Sequence, residues 1–135
     1  MLLDICDVGD DCRADIPSGW RADTQTIGCW LSLANPYSAE ALSQLGFDWV
    51  CIDLQHGLID YTDLVTMLPA ISTSDATPIV RVPWNEPYEI MNALDAGAYG
   101  VIVPMVNNRE EAQGGRPVGP VAPPNFTSAR LHPCS

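Results

Sequence analysis

Short apolar runs alternate along this chain with segments in which the apolar residues recur every three or four positions. The runs predict buried β-strands, near residues 26–33, 47–54, 77–82 and 100–106. The segments between them predict helices, because their apolar residues fall on one side and Asn, Asp, Pro or Gly residues mark their ends. These helices are predicted over residues 36–45, 61–71 and 85 or 86 to 95, and a fourth begins after Asn108.

A strand followed by a helix therefore occurs four times, with short connections between the elements. This alternation predicts an α/β fold built on a parallel sheet with right-handed crossovers. A complete (β/α)8 TIM barrel needs about 250 residues, whereas this chain has 135. We therefore predict a partial (β/α)8 barrel of about four βα units, which occupies residues 23–113.

Two flanking regions lack this periodicity. Residues 1–22 are rich in aspartate, and we expect them to form a poorly ordered acidic arm whose few apolar residues are able to dock. Residues 114–135 are rich in proline and glycine, and their composition is foreign to the segment before them.

The charge of the chain excludes several classes of partner. The net charge is −11, and nucleic acids and anionic membranes both need basic patches on the proteins that bind them. No apolar run approaches the length of about 18–20 residues that a membrane span requires. The acidic N-terminus has no basic segment of the kind that begins a secretory signal. The five cysteines include no CxxC pair, so we predict no zinc site and a reducing, cytoplasmic location.

The chain contains no lysine, since all six of its basic residues are arginines. Enzymes that form a Schiff base need a lysine amine as the nucleophile. Any carbon–carbon chemistry of this chain therefore proceeds without an imine on the protein.

Candidate chemistry lies where the second predicted strand ends. The strand finishes at Asp53, and His56 follows three residues later. Ligands of parallel α/β folds bind beyond the carboxyl ends of the strands, and a carboxylate there can orient an imidazole and make it a general base. The alternative is that Asp53 caps the next turn and His56 is a surface residue. Arg81 lies within an apolar strand, where an unpaired charge is costly, which indicates a site or an ion pair.

Three segments resemble a known family in order and spacing: IGCWLSLANPYSAE, GFDWVCIDLQHG and PIVRVPWNEPYEIMNALDAGAYGVIVPMVNNREEA. They are similar to the metal-dependent 2-oxo-acid aldolases of the citrate lyase β-subunit-like superfamily, of the 4-hydroxy-2-oxoheptanedioate aldolase type. The resemblance covers residues 26–112 and implies a barrel of the phosphoenolpyruvate/pyruvate type. It also implies an intact enzyme that is a homo-oligomer and takes part in the breakdown of aromatic compounds.

The family resemblance implies a reaction and its cofactor. A 4-hydroxy-2-oxo acid is cleaved to pyruvate, or a related 2-oxo acid, and an aldehyde. A divalent metal, Mg²⁺, Mn²⁺ or Co²⁺, holds the substrate oxygens and stabilises the enolate. This route agrees with the absence of lysine. By the same resemblance His56 is the catalytic histidine, Asp53 is its paired aspartate, Arg81 binds the 2-oxo acid and Trp30 lines the pocket. Packing in the core is the alternative for Trp30.

The resemblance ends near Gln113, where the family continues through a second half-barrel. The family's metal ligands, a glutamate and an aspartate, come from later strands that the matched segments do not include. We therefore expect impaired activity, and the alternative is a non-catalytic half-barrel that self-associates or binds partners. The tail has two interpretations, a flexible terminus or a shift of reading frame near Gln113, and the family's continuation favours the second.

Overall fold

The computed structural model describes residues 2–3 and 25–114. Within them the strands are β1 (Leu2–Leu3), β2 (Gly28–Leu31), β3 (Trp49–Asp53), β4 (Thr77–Arg81) and β5 (Gly100–Ile102). The helices are α1 (Pro36–Ser43), α2 (Tyr61–Ile71), α3 (Pro87–Asp95) and α4 (Arg109–Gly114). None of these helices in the described part of the chain is long and apolar enough to cross a membrane.

The strands form one sheet in the order β1-β5-β4-β3-β2. The four predicted strands, β2 to β5, lie side by side in sequence order and pair in parallel. This confirms the predicted fold, a partial α/β barrel in which parallel strands alternate with helices. The short β1 pairs antiparallel with β5. The rest of the predicted arm, and the tail beyond α4, lie outside the described residues.

Local sequence signals explain where the helices begin. Asp60 caps α2 through a capping box. The Asp60 side chain accepts a hydrogen bond from the Asp63 backbone N–H, and the Asp63 side chain accepts one from the Asp60 backbone N–H. Asn35 caps α1 by accepting from the backbone N–H of Ser38 at 2.9 Å. The expected Asn108 cap of α4 is also present, since its side chain accepts from the Glu111 N–H at 2.8 Å.

The fifth strand is shorter than predicted. The sequence predicted a strand over residues 100–106, but β5 ends at Ile102. Pro104 has no N–H to give to a sheet, and Met105 has a left-handed φ of 57°. The prediction was therefore wrong at this end, because apolar character continues beyond the point where the backbone can pair.

The pleat of the sheet separates the core from the site. One face carries strand residues that pack against the helices, namely Leu31, Val50, Ile52, Val80 and Val101, which join Leu64, Met67, Leu68 and Ile90 in one buried cluster. Successive side chains of a strand point to opposite faces. Trp30, Cys51, Asp53 and Arg81 therefore share the other face, the side away from the helices.

Candidate functional site

Strand register brings the two charged candidates together. Asp53 is the last residue of β3 and Arg81 is the last residue of β4, and the two lie directly opposite each other in the sheet. Both stand at the carboxyl end of the parallel strands, where α/β folds bind their ligands. A cross-strand pair of opposite charge on one face is thus fixed by the backbone itself.

Asp53 is the centre of the hydrogen-bond network. Its side chain is buried, with 2% of the residue exposed. The Nε of Arg81 donates to Oδ1 at 2.8 Å and the Nη2 of Arg81 donates to Oδ2, which makes a two-pronged ion pair. The indole Nε1 of Trp30 donates to Oδ2 at 3.1 Å. The backbone N–H groups of Gln55 and His56 donate to Oδ1 at 2.9 and 3.1 Å.

These contacts keep the Asp53 carboxylate ionised. Burial by itself raises the pKa of Asp53, but the hydrogen bonds from Arg81, Trp30 and the His56 and Gln55 amides outweigh it, so that the pKa lies well below its ordinary value. The same ion pair raises the pKa of Arg81. Asp53 therefore acts as a fixed negative charge that orients its neighbours, and it is poorly suited to accept a proton.

The structure places His56 beside this network without joining its ring to it. His56 is exposed on the turn after β3, and its backbone N–H contacts Asp53. Within residues 2–3 and 25–114, no hydrogen bond to the imidazole is present. The backbone hydrogen bonds from Gln55 and His56 show that the Asp53 side chain caps the turn that follows β3. The role of His56 as a catalytic base stays a prediction.

Trp30 and Arg81 form a second contact within the site. The guanidinium carbon of Arg81 lies 4.9 Å from the centroid of the Trp30 ring, a cation–π contact. Trp30 is 43% exposed, so the ring lies at the surface of the site rather than in the core. An arginine has five N–H groups, and only two of those on Arg81 donate within the described residues. The remaining N–H groups are available to a ligand.

Cys51 precedes Asp53 by two residues in β3, so its side chain projects from the same face of the sheet. It is fully buried, and burial raises the pKa of its thiol to about 12. Such a thiol stays protonated and unreactive. The sequence interpretation of Cys51 as a small core residue therefore fits its environment, and the structure gives it no part in catalysis.

Gly57 closes the turn that carries His56. A Cβ at this position would lie 2.4 Å from the Asp53 carbonyl oxygen and 3.2 Å from the backbone of Ser32. The backbone N–H of Leu58 donates to the Ser32 carbonyl at 3.0 Å, which fixes this turn against the loop after β2. Only glycine allows so close an approach between two backbone segments.

We expect Gly57→Ala to lower the free energy of unfolding by about 1–3 kcal/mol, because the added methyl group overpacks a backbone contact. The matched control is Gly100→Ala, whose Cβ would meet only the Ile79 side chain at ordinary van der Waals distance. Urea unfolding of the two variants compares them directly. Equal losses in both variants would contradict the assignment of the Gly57 turn as a close backbone contact.

Sequence reasoning missed one participant, Trp49. Its ring lies over Gly28, and its Nε1 donates to the Thr26 hydroxyl at 3.3 Å. The ring also packs nearly perpendicular to that of Trp30. No motif signals this arrangement, because it depends on the register that places Gly28 opposite Trp49. The sequence held one signal for the position of Trp49: Trp49, Cys51 and Asp53 alternate along the strand and therefore project from the same face.

The described residues do not fit the divalent metal that the family resemblance implies. Within residues 2–3 and 25–114, no three His, Cys, Asp or Glu side chains come close enough together to hold an ion. Asp53 already accepts five hydrogen bonds. Asn85 has a buried Oδ1 without a partner in this part of the chain, but a lone amide oxygen is not a cation site.

A groove of about 380 Å³ lies elsewhere, between the start of α2 and the first turns of α3. Tyr61, Tyr88, Asp60 and Glu89 are among its lining residues. None of the four candidate site residues contributes to it. The candidate site is therefore the network around Asp53, and this groove is a separate surface feature.

Comparison with known proteins identifies the family of this chain. Residues 26–114 match the HpcH/HpaI aldolase/citrate lyase family, and the chain belongs to that family. This confirms the family resemblance seen in the sequence.

Three relatives show the extent of the match. A hydroxypyruvate/pyruvate aldolase of Rhizorhabdus wittichii is 48% identical over 94 residues, which are 70% of this chain and 38% of the relative. A 4-hydroxy-2-oxo-heptane-1,7-dioate aldolase of Salmonella dublin is 44% identical over 93 residues, which are 69% and 35% of the two chains. The crystal structure of a family protein from Burkholderia cenocepacia superposes with a TM-score of 0.64 and 38% identity, over 67% and 37% of the two chains. This chain thus spans little more than a third of the relatives' length.

Proposed function

We propose that this chain provides the 2-oxo-acid-binding part of a family aldolase site. The whole reaction cleaves a 4-hydroxy-2-oxo acid to pyruvate, or a related 2-oxo acid, and an aldehyde. The observation that carries the proposal is the Arg81 guanidinium, which Asp53 and Trp30 fix at the carboxyl end of the sheet while part of its donor edge stays open. Family membership and the names of the two aldolase relatives support the same reaction.

Arg81 suits the carboxylate of a 2-oxo acid. Its guanidinium is planar and permanently charged, and it presents paired donors that match the two oxygens of a carboxylate. One-fifth of its side chain, 20%, is exposed, so a small anion can reach it. Asp53 neutralises much of its charge, and we therefore expect the affinity of the site for a 2-oxo acid to be only about millimolar.

His56 supplies the proposed proton transfer. The imidazole takes the proton of the substrate 4-hydroxyl as the C3–C4 bond breaks, which releases the aldehyde. The bonding electrons pass to the 2-oxo acid as an enolate, and the proton then returns to C3. The exposed position of His56 on the turn next to Asp53 supports this role, because the ring is free to meet a ligand held by Arg81.

We expect the purified chain to have little or no aldolase activity. Electrostatic stabilisation of the developing charge is usually the largest catalytic effect, and the loss of a single donor costs about 10²- to 10³-fold in rate. The described residues provide Arg81 for this purpose but no metal-ligand set. The assay follows pyruvate released from 4-hydroxy-2-oxoheptanedioate, with Mg²⁺, Mn²⁺ or Co²⁺ and with EDTA.

A full-length family aldolase serves as the positive control for this assay. The expected result is turnover at least about 10²-fold below that enzyme under the same conditions. Comparable turnover that EDTA abolishes would show a metal site outside the described residues and would contradict the prediction.

A second candidate function is self-association without catalysis. Within the described residues β2 pairs only with β3, so its other edge is open, and open edges pair with strands of other chains. Sedimentation of the purified chain tests this candidate. A monomer across the micromolar range would rule it out.

The proposed location is a reducing cytoplasm. Cys29 and Cys51, the two cysteines in the described residues, are both free thiols. Free thiols of this kind are usual where glutathione and thioredoxin keep proteins reduced.

A further inference from the structure

The face of the sheet that holds the site carries a second aromatic residue besides Trp30, namely Trp49. Trp49 and Asp53 project from the same face of β3, because they are separated by an even number of residues. Its neighbour Trp30 projects from that face of β2. Trp49 thus lies beneath the contact network around Asp53 and next to one of its members.

Gly28 sets the position of the Trp49 ring. The two residues lie opposite each other in the sheet, and a Cβ on Gly28 would fall 2.1 Å from ring carbons of Trp49. The ring therefore lies directly on the glycine backbone, a place that no other residue would leave open. The Nε1 of Trp49 donates to the Thr26 hydroxyl at 3.3 Å, which further restrains the ring.

Trp49 in turn contacts Trp30. The centroids of the two rings are 6.4 Å apart and the rings are nearly perpendicular, at 83°, a favourable edge-to-face geometry. Trp30 makes two contacts that depend on the orientation of its ring. Its Nε1 must point to Asp53, and its ring face must lie beneath the Arg81 guanidinium. Trp30 is 43% exposed, so the core does little to hold it.

We propose that Trp49, resting on Gly28, is a positioning residue that holds Trp30 in the orientation required by Asp53 and Arg81. The consequence for ligand binding rests on the proposed function, since it assumes that Arg81 binds a 2-oxo acid. The consequence for Trp30 does not rest on it, since the ring contacts exist without ligand.

The competing view is that Trp49 only fills space. The two views differ in one observable, the environment of the Trp30 indole N–H. A space-filling role is fulfilled by any large apolar side chain, and the Trp30–Asp53 hydrogen bond then survives substitution. A positioning role needs an aromatic ring in the perpendicular contact, so an aliphatic replacement releases Trp30 while phenylalanine retains much of the effect.

The test compares Trp49→Leu, Trp49→Phe and wild type by the ¹H–¹⁵N signal of the Trp30 indole. Trp84→Leu is the control, since Trp84 is also a half-exposed tryptophan but lies outside the network. In Trp49→Leu we expect the Trp30 signal to move to the position of a freely hydrated indole. We also expect the dissociation constant for pyruvate to rise about three- to tenfold. Trp49→Phe keeps an aromatic ring but loses the hydrogen bond to Thr26, so it should move the Trp30 signal in the same direction by less than Trp49→Leu. Trp84→Leu should stay close to wild type in both measurements.

A folded Trp49→Leu variant with an unchanged Trp30 signal would overturn the proposal. If Trp49→Leu does not fold, Thr26→Val replaces it, because it removes only the hydroxyl that binds the Trp49 Nε1. That variant should move the Trp30 signal in the same direction by a smaller amount, and no movement would again overturn the proposal. Wild-type protein that binds no pyruvate would refute the proposed function alone, since the Trp30 signal still decides the role of Trp49.

Discussion

Replacing Asp53 by asparagine is expected to lower the free energy of unfolding by about 3–5 kcal/mol, the usual cost of removing one partner of a buried ion pair. Asparagine keeps an oxygen for the two backbone amides. Its NH₂ group, however, would face the donors of Arg81 and Trp30 with no acceptor to offer. Because small domains are stable by only about 5–15 kcal/mol, the loss is a large share of the total.

The control for this prediction is Asp75→Asn. Asp75 is exposed, and its replacement should change stability by no more than about 0.5 kcal/mol. Urea denaturation at neutral pH measures both variants on the same scale. A loss below about 1 kcal/mol in Asp53→Asn, comparable to a surface substitution, would contradict the view that this ion pair organises the site.

The ionisation of Asp53 also predicts how the free energy of unfolding depends on pH. The pKa of Asp53 in the folded chain lies below the value of about 3.9 that an unfolded aspartate has. Its contribution to stability is therefore fully present above the unfolded pKa and disappears as the pH falls through the folded pKa. Wild-type protein should lose this contribution on acidification from about pH 5, whereas Asp53→Asn should lack that part of the slope.

Replacing Arg81 by leucine is expected to weaken the binding of a 2-oxo acid by about tenfold or more. Hydrogen bonds to a charged group contribute about 1.5–3 kcal/mol, and each 1.4 kcal/mol is about tenfold in affinity. Leucine retains apolar bulk in β4 but offers no donor to a carboxylate. It also leaves the buried carboxylate of Asp53 without its counter-charge, so the variant should lose stability as well.

Arg109→Leu is the matched control for charge. Arg109 is exposed at the start of α4 and is the other arginine within the described residues. Its removal changes the net charge of the chain by the same amount as Arg81→Leu. If both variants weakened binding equally, the effect would come from the overall field of the protein and not from a built site.

The sequence was sufficient to predict the four parallel strands of the sheet but not the short antiparallel β1. Apolar runs with helical segments between them identified β2 to β5, and the helix between each two strands predicted parallel pairing in sequence order. The α2 helix begins and ends where its Asp60 cap and apolar spacing predicted. The error at β5 arose because hydrophobicity does not report backbone pairing, which Pro104 and the left-handed Met105 prevent.

The sequence was less sufficient for the site. Strand ends alone placed Asp53 and Arg81 at one edge of the sheet, but their direct pairing depends on register, which no local pattern determines. Spacing suggested that Asp53 orients the His56 ring. In the structure the backbone N–H of His56 donates to the carboxylate, the geometry of a capped turn, and the catalytic role of the His56 ring stays a prediction. Trp49 was missed for the same reason that the partner of Arg81 was not identified, since the neighbours of Trp49 come from another strand.

The central claim, that Arg81 is an anchored binding group for a 2-oxo acid, is tested most directly by titrating the purified chain with pyruvate. NMR follows the Nε–H of Arg81 and the Nε1–H of Trp30 in wild type, Arg81→Leu and Arg109→Leu. We expect both wild-type signals to move together, with a dissociation constant of about 1 mM or somewhat weaker. Affinity should fall about tenfold or more in Arg81→Leu and stay unchanged in Arg109→Leu. Wild-type signals that do not respond to pyruvate, or an Arg81→Leu variant that binds as well as wild type, would contradict the claim.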